Sequence, residues 1–470
     1  MTEIEPSSSL GRLRASVCGW VNTPVDIASL AAFRILFGLL MAGAMIRFQA
    51  KGWVNELYVL PKFHFPYDGF GWVHALPAGW MHAHFVALTI LALMVALGFC
   101  YRAASILFCL GFTYVELIDQ TTFLNHYYLI SLLSGILIVL PAQRAWSIDV
   151  WRRPALKLEV VPAWTINLLR FQIAVVYLFA GLAKVNADWL LRAQPLRIWL
   201  VARSDLPVIG NWLQQVWVAY GTSWFGTIYD LTIVFFLLRR WTRKIAFLAV
   251  IGFHVGTWLL FHIGMFPWIM IVATTVFFPP DWARVRLSQF TAKASCWLHR
   301  PSWSTWAKAF AVRSQNATPS VLRHPRLIAT LLILYVAVQV LLPLRPYLFG
   351  NGHPAWSYRG FNLAWQVMVA EKAGYVEFYA RDPETGRRRK IVARDYLTPL
   401  QEQLMAQDPY LIRVLARKIA TDLQVSGPSR PEIRVQAFAT LNGRPSQRLI
   451  NPDTDLSGNI HPGWILPLQE

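Results

Sequence analysis

The stretch Trp164–Trp189 reads WTINLLRFQIAVVYLFAGLAKVNADW. It is long and apolar enough to cross a bilayer, yet it carries Arg170 inside and Lys184 near its far end. On a helix, Arg170, Tyr177, Gly181 and Lys184 follow one another at intervals of 7, 4 and 3 residues, so all four fall near one face. An ionisable group in such a span is costly and normally faces the protein interior or a water-filled cavity. A lysine at the edge of a span has a plainer reading, in which the stem lies along apolar surface and the ammonium reaches the interface.

Outward from this stretch the same composition continues. Of 470 residues, 55% are hydrophobic and only 15% charged, with the apolar residues gathered in runs, so the bulk of the chain is expected to be membrane-embedded. The runs predict about nine spans, at 29–46, 81–100, 103–119, 126–141, 164–184, 219–238, 244–262, 264–279 and 326–344; the eighth is short and has Pro267 near its start. The fold class expected is a polytopic α-helical membrane protein with a C-terminal α+β extramembrane domain. Residues 1–28 form a cytosolic N-terminal segment, 29–344 a helical transmembrane catalytic domain with a basic cytosolic loop at about 280–325, and 345–470 the outer domain.

Orientation follows from where the basic residues fall. Arg12, Arg14, Arg102, Arg144, Arg152, Arg153, Lys157, Arg239, Arg240, Arg243, Lys244 and the cluster from Arg284 to Arg326 share one side. They far outnumber Arg47, Lys51, Lys62, Arg192, Arg197 and Arg203 on the other. This asymmetry places the first set in the cytosol and the tail outside. The net charge of +19 therefore reflects loops between spans and not a groove for nucleic acid. Met1 to Asn22 lacks the apolar core of a signal peptide, so the N-terminus is expected to stay in the cytosol. Asn316-Ala317-Thr318 matches a glycosylation acceptor but falls in a cytosolic loop and is read as chance. Cys18, Cys100, Cys109 and Cys296 show no metal-binding spacing, and neither a metal site nor a disulfide framework is expected.

In the tail, Tyr375–Asp382 alternates like a strand, Pro383-Glu384-Thr385-Gly386 is a turn, and Arg387–Ala393 is the candidate partner. Pro399–Val425 is helical in pattern, Glu432–Leu441 alternates again, and Asn442-Gly443 predicts a hairpin leading to Ser446–Ile450.

Polar residues gather on the outer side: Lys184 at the end of span 5, Asp119, Asn125 and His126 between spans 3 and 4, and His254 and His262 in the outer half of span 7. Each alone has an ordinary explanation, Asn125 as a helix cap and a histidine as a satisfied core residue. Their convergence argues for a polar site beneath the tail. Arg34, Arg170 and Asp230 are read as the intramembrane charges; either Asp230 neutralises one arginine, or they serve a ligand directly. No GxSxG, P-loop, HExxH or Rossmann fingerprint is present, so hydrolase, kinase and nicotinamide chemistries lack support. A desolvated lysine at the lipid boundary suits deprotonation of a lipid-soluble acid such as a quinol.

Several motifs, in order, resemble the vitamin K-dependent γ-glutamyl carboxylases and their bacterial relatives. They are Asp26-Ile27-Ala28-Ser29-Leu30-Ala31 leading into Phe33-Arg34-Ile35-Leu36-Phe37-Gly38, then Gly98-Phe99-Cys100-Tyr101-Arg102 and Asn125-His126. Leu169-Arg170, Gln172, Val176-Tyr177 and Ala180-Gly181 run into Lys184 and Ala187-Asp188-Trp189, followed by His254 and Ile263-Gly264-Met265-Phe266. In the tail come Trp356, Phe361, Trp365, Met368 and Gln447-Arg448-Leu449-Ile450-Asn451-Pro452. The resemblance implies that Lys184 deprotonates reduced vitamin K (phylloquinol or menaquinol), which reacts with O2 to give a strongly basic oxygenated vitamin K species. That species takes the γ-proton of a peptide glutamate, CO2 adds to form γ-carboxyglutamate, and vitamin K leaves as its epoxide. His126 would assist at the glutamate carbanion and Asn125 would help hold the site. Tyr177, Arg170, His254, His262 and Met265 are the candidates for holding the quinol. The partners implied are a glutamate-containing peptide or protein and the bilayer.

Three features depart from the family pattern. Ala183-Lys184 stands where animal members have a lysine doublet, Phe123 and Leu124 replace Trp and Asn in their SWNNH stretch, and animal members continue past the point matching Glu470. Two other readings fit the residues: a quinol epoxidase with a different acceptor or none, and a non-catalytic quinone-binding protein. The short N-terminus and compact tail favour the bacterial inner membrane, with the tail periplasmic, over the endoplasmic reticulum.

Overall fold

The computed structural model describes residues 22–261, 263–298, 325–349, 352–425 and 430–469. His262, the Asn316 tripeptide, the N-terminal residues up to Val21 and much of the basic loop lie outside the described residues.

Each expected span coincides with a helix: α1 Ala28–Ala50, α2 Ala78–Leu97, α3 Tyr101–Ile118, α4 Asn125–Val139, α5 Trp164–Ala183, α6 Val216–Leu238, α7 Arg243–Leu260, α8 Phe266–Thr274 and α9 Pro325–Leu341. Among the described residues, seven helices are long and apolar enough to cross a membrane, while Asn125–Val139 and Phe266–Phe277 are shorter. Leu107, Leu110, Phe235, Leu248 and Ile333 are exposed on their outward faces, as a lipid solvent allows. The chain is a multi-pass integral membrane protein.

Helices α1 and α5 form the centre. Two-thirds of each span is buried (67%), against 39% or less for the other long spans. Close approach of α1 and α2 depends on Gly38, where a Cβ would sit 2.6 Å from the backbone nitrogen of Ala96. The same device acts at Gly181 on α5, whose added Cβ would meet Leu231 at 2.7 Å. That contact draws α6 against α5 one residue from Asp230.

The expected pairing of Asp230 with an arginine does not occur. Arg34 is fully buried and its guanidinium donates to the carbonyls of Val95 (2.9 Å), Ala96 (2.7 Å) and Trp146 (2.6 Å), groups freed where α2 and the connection after α4 end. Arg170 is likewise taken by carbonyls, those of Val276 and Phe278, at 2.8 and 3.1 Å. Sequence reasoning looked for carboxylates and overlooked helix ends as acceptors. It also passed over Glu116, a carboxylate inside α3 that accepts a hydrogen bond from Ser131 Oγ.

At the end of the bundle remote from the tail, β1 (Pro24–Asp26) pairs antiparallel with β2 (Val160–Pro162). Asp26 then caps α1 through the N–H of Ala28 and is held by Arg284.

The tail is a four-stranded antiparallel sheet in the order β4-β3-β5-β6: β3 Lys372–Arg381, β4 Arg388–Ile391, β5 Glu432–Leu441 and β6 Gln447–Arg448. Pro399–Val425 is two helices, α10 Pro399–Met405 and α11 Pro409–Val425. The break falls before Pro409, which suits the first position of a helix and no interior one. Leu411, Ile412, Leu415, Ala416, Ile419 and Ala420 form the buried stripe of α11 against the sheet. Asn442 and Gly443 take positive φ (50° and 79°) as a hairpin turn requires. The ladder resumes only at Gln447, opposite Ala439, so the loop is wider than the two-residue turn expected.

Two carboxylates of the membrane region clamp the tail. Asp188 accepts from both terminal nitrogens of Arg444 at 2.7 Å and from Asn442 at 2.9 Å. Burial works against the Asp188 charge, but the hydrogen bonds from Arg444 and Asn442 outweigh it and hold the carboxyl below its usual range. Asp119 accepts from Gln401 of α10 at 2.8 Å and pairs with His64 at 3.3 Å. Asp119, expected among the converging site residues, is therefore a joint.

Candidate active site

Lys184 ends α5, and the chain turns at once into the short helix Ala187–Arg192, capped by Asn186. The lysine cannot reach the interface because the tail covers it. Its Nζ donates to Asp230 Oδ2 at 2.9 Å, to the Ala180 carbonyl at 3.1 Å and to the Val367 carbonyl at 3.4 Å, so all three ammonium donors have acceptors. The Trp189 ring lies 5.4 Å from Nζ.

This group opens on a cavity of about 240 Å³. Val176, Ala180, Phe225, Phe253, Leu260 and Phe261 supply most of its apolar wall. Tyr177, two turns before Lys184, faces the same space and is hydrogen-bonded to His254 Nε2 at 3.0 Å. His254 Nδ1 is buried with no partner among the described residues. On α7, Gly252 and Gly256 also line the cavity, and a Cβ at either would meet nothing within 4 Å. That side has room for further apolar volume.

Asn125 and His126 line a second, larger space of about 800 Å³, together with Arg47, Glu56 and Met265. Phe261, Ile263, Phe266, Val367 and Met368 belong to both walls, so the two chambers share a partition one side chain thick. The Phe266 ring centre lies 6.1 Å from that of His126 and 6.0 Å from that of His254, between the two histidines.

Part of the partition comes from the tail. Leu363, Trp365 and Met368 adopt positive φ (63°, 54° and 54°), each at a cost of order 1–3 kcal/mol for a non-glycine residue. The contacts that hold them there reach the site: Trp365 stacks on Tyr128 at 5.0 Å, the Gln366 carbonyl accepts from Asn125 Nδ2 at 3.3 Å, and the Val367 carbonyl accepts from Lys184. One segment thus touches both Asn125 and Lys184.

The structure brings Tyr177, Lys184 and His254 to one chamber and Asn125, His126 and Met265 to the other. It does not bring Arg170 to either. Arg170 sits 14 residues back along α5, roughly 21 Å of helix, bound to carbonyls at the far end. Its place on the same face as Lys184 was correct in projection and misleading in depth. The partner sequence reasoning missed is Asp230, 46 positions from Lys184 on another helix. Its only signal was an acid alone in an apolar span. Arg47, Glu56 and Val367 gave no such signal.

Residues 22–282 match the family model described as HTTM domain, and residues 324–470 match that of the vitamin K-dependent gamma-carboxylase, lumenal domain. The chain belongs to the vitamin K-dependent gamma-carboxylase family. No solved structure matches it. A carboxylase-type function dependent on vitamin K follows in general from this membership, as do membrane embedding and a peptide substrate. Among the described residues, no group of three or more His, Cys, Asp or Glu is placed to hold a metal ion.

Proposed function

We propose that this protein is a γ-glutamyl carboxylase that oxygenates reduced vitamin K to its epoxide and couples this to CO2 addition at a peptide glutamate. The observation that carries the reading is the Lys184–Asp230 pair in an apolar cavity, one partition away from the chamber of His126 and Asn125.

The small chamber suits the quinol. At about 240 Å³ it lies just under the usual ligand-pocket range of about 300–1,000 Å³, with open space beside Gly252 and Gly256 for a hydrocarbon tail. Its polar groups are few: the Lys184–Asp230 pair, and Tyr177 hydrogen-bonded to His254. Once deprotonated and oxygenated, reduced vitamin K supplies a base strong enough to remove the γ-proton of glutamate.

The chain's own residues prepare and contain that chemistry. Lys184 and Asp230, 2.9 Å apart, hold a transferable proton between them. With that proton on Asp230, the Lys184 amine keeps its hydrogen bonds to the Ala180 and Val367 carbonyls and its electron pair faces Asp230. A quinol O–H that takes the place of Asp230 at that electron pair breaks as an N–H bond forms at Nζ. The working base is therefore the pair. Phe261, Ile263, Phe266 and Met368 keep water off the partition, where it would quench a strong base. In the large chamber Arg47 offers a cation to the glutamate carboxylate, and His126 and Asn125 stand where the carbanion is stabilised and carboxylated. The tail faces the periplasm of a bacterial inner membrane in this reading.

The test is to supply the purified protein in nanodiscs with reduced vitamin K, O2, labelled bicarbonate and a glutamate-rich peptide, with Lys184→Ala as control. Epoxide and labelled peptide are counted in the same reaction. Both products, dependent on Lys184, are expected. Epoxide alone would make it a quinol epoxidase with another acceptor, and neither product from folded protein would leave a quinone-binding protein.

A further inference from the structure

A third cavity, of about 530 Å³, lies where α4, α5 and α9 meet at the end of the bundle remote from the tail. It is separate from the carboxylation chambers. Trp164 opens α5 and Lys184 follows its last residue, so the 20-residue helix puts about 30 Å between them. Leu132, Ile136, Leu168 and Leu331 make the walls apolar, and Val139 and Leu331 are exposed toward the surrounding lipid (58% and 55%).

Arg102 and Arg144 stand on the rim. Both line the same cavity, and among the described residues no carboxylate lies within ion-pair distance of either. Arg34 and Arg170 also lack a carboxylate, but their guanidinium groups are taken up by carbonyls, which those of Arg102 and Arg144 are not among the described residues. On the same wall the indole nitrogen of Trp164 is buried with no hydrogen-bond partner. Arg102 is exposed and Arg144 half-buried, so two like charges on one rim can attract an anion, and the groove of leucines beside them accepts hydrocarbon. A free phosphate satisfies the first and not the second, whereas a neutral lipid does the reverse.

We propose that this cavity binds an anionic phospholipid, with the phosphate between Arg102 and Arg144 and an acyl chain along the groove beside Leu331. Basic pockets between helices at the membrane boundary are a known way to select anionic head groups. The site depends on the chain lying in a bilayer and not on the proposed carboxylation chemistry.

Native mass spectrometry of detergent-purified protein, incubated with equal phosphatidylglycerol and phosphatidylcholine, tests this. The protein should retain phosphatidylglycerol preferentially. The double variant Arg102→Gln/Arg144→Gln should lose about tenfold in retention, while Arg102→Lys/Arg144→Lys keeps much of it. Leu331→Ser should weaken retention with both arginines intact, and inorganic phosphate in excess should not displace the lipid. Equal retention of the two lipids, or undiminished retention by the glutamine variant, would overturn the proposal. So would displacement by phosphate together with indifference to Leu331→Ser, which would mark a free-anion site. Should the glutamine variant not fold, as judged by size-exclusion profile, the lysine variant and Leu331→Ser decide.

Discussion

Two lysines of this protein are buried to the same degree, Lys184 in the membrane region (5% exposed) and Lys372 in the tail (6%). Both donate to backbone carbonyls, Lys184 to Ala180 and Val367, Lys372 to Ala355 and Trp356. Both lie against aromatic rings, Trp189 for the first, Trp356 and Tyr358 for the second. Burial and partners of this kind therefore do not distinguish a base from a structural cation. What differs is that Lys184 has a carboxylate at 2.9 Å with which to exchange a proton, and a cavity on its open side. Lys372 closes over carbonyls in the core of the tail and lines none of the three cavities described.

The largest effect should come from that difference. Lys184→Ala is expected to lower epoxide formation per folded molecule by about 10²–10⁴-fold, the usual worth of a positioned acid or base, with folded yield also reduced because Asp230 is left buried without its partner. Lys372→Met should leave the epoxide rate within about twofold, since it touches no reacting group. If both variants lost activity equally while folded, the assignment of Lys184 as the base would fail.

Smaller effects sharpen the division between the chambers. His126→Ala should damage carboxylation about tenfold or more beyond its effect on epoxide formation, because Phe266 and Met368 separate it from the Lys184 cavity. Equal loss of both products would place His126 in the quinol site or in the scaffold. Gly256→Leu fills the open space on α7. It should raise KM several-fold for a quinol with a long isoprenoid tail and leave a tailless quinol unaffected, since each displaced methylene is worth about 0.8 kcal/mol. An identical change for both quinols would exclude this side as the place of the tail.

Much of this was legible in the chain and some was not. The nine apolar runs and the strand Glu432–Leu441 stood in the sequence because lipid and pleat impose their own periods on the residues. Helix spacing set Tyr177 and Lys184 on one face, where the structure has them. The same projection carried Arg170 along, because a face says nothing of depth in the membrane. Asp230 could be seen as an unusual acid, but its partner is fixed by how Gly181 lets α6 approach α5, a contact between helices that no local pattern records. Val367 contributes only a carbonyl, so its residue type carries no trace of its place beside Lys184. Pairing Asp230 with an arginine failed for a related reason: helix ends supply acceptors that do not appear as acidic letters.

The smallest effect concerns Lys372 and is one of stability and pH. Burial pushes its ammonium down to about 7, against a usual 10.5, although Asp408 acts to raise it. Burial also pushes the Asp408 carboxyl up to about 6, only partly offset by the N–H of Tyr410 and the charge of Lys372. Between pH 7 and 10.5 the unfolded chain binds a proton at Lys372 that the folded chain has lost. Stability should therefore rise with pH across that window. For Asp408 the folded chain binds the extra proton between the usual 3.8 and about 6, so stability falls as pH rises there, leaving a shallow minimum near pH 6 to 7. Lys372→Met abolishes the upper limb and, by removing a charge that holds the Asp408 carboxyl down, also shifts the lower limb upward. Melting temperatures of wild type and variant in the same detergent, at pH 8 and pH 9.5, read the upper limb, because that window lies above the Asp408 limb and the groups away from Lys372 are common to both chains. The wild type should gain on the variant as pH rises. A constant difference would mean that Lys372 stays charged in its core, and the two buried lysines would then be more alike than their surroundings indicate.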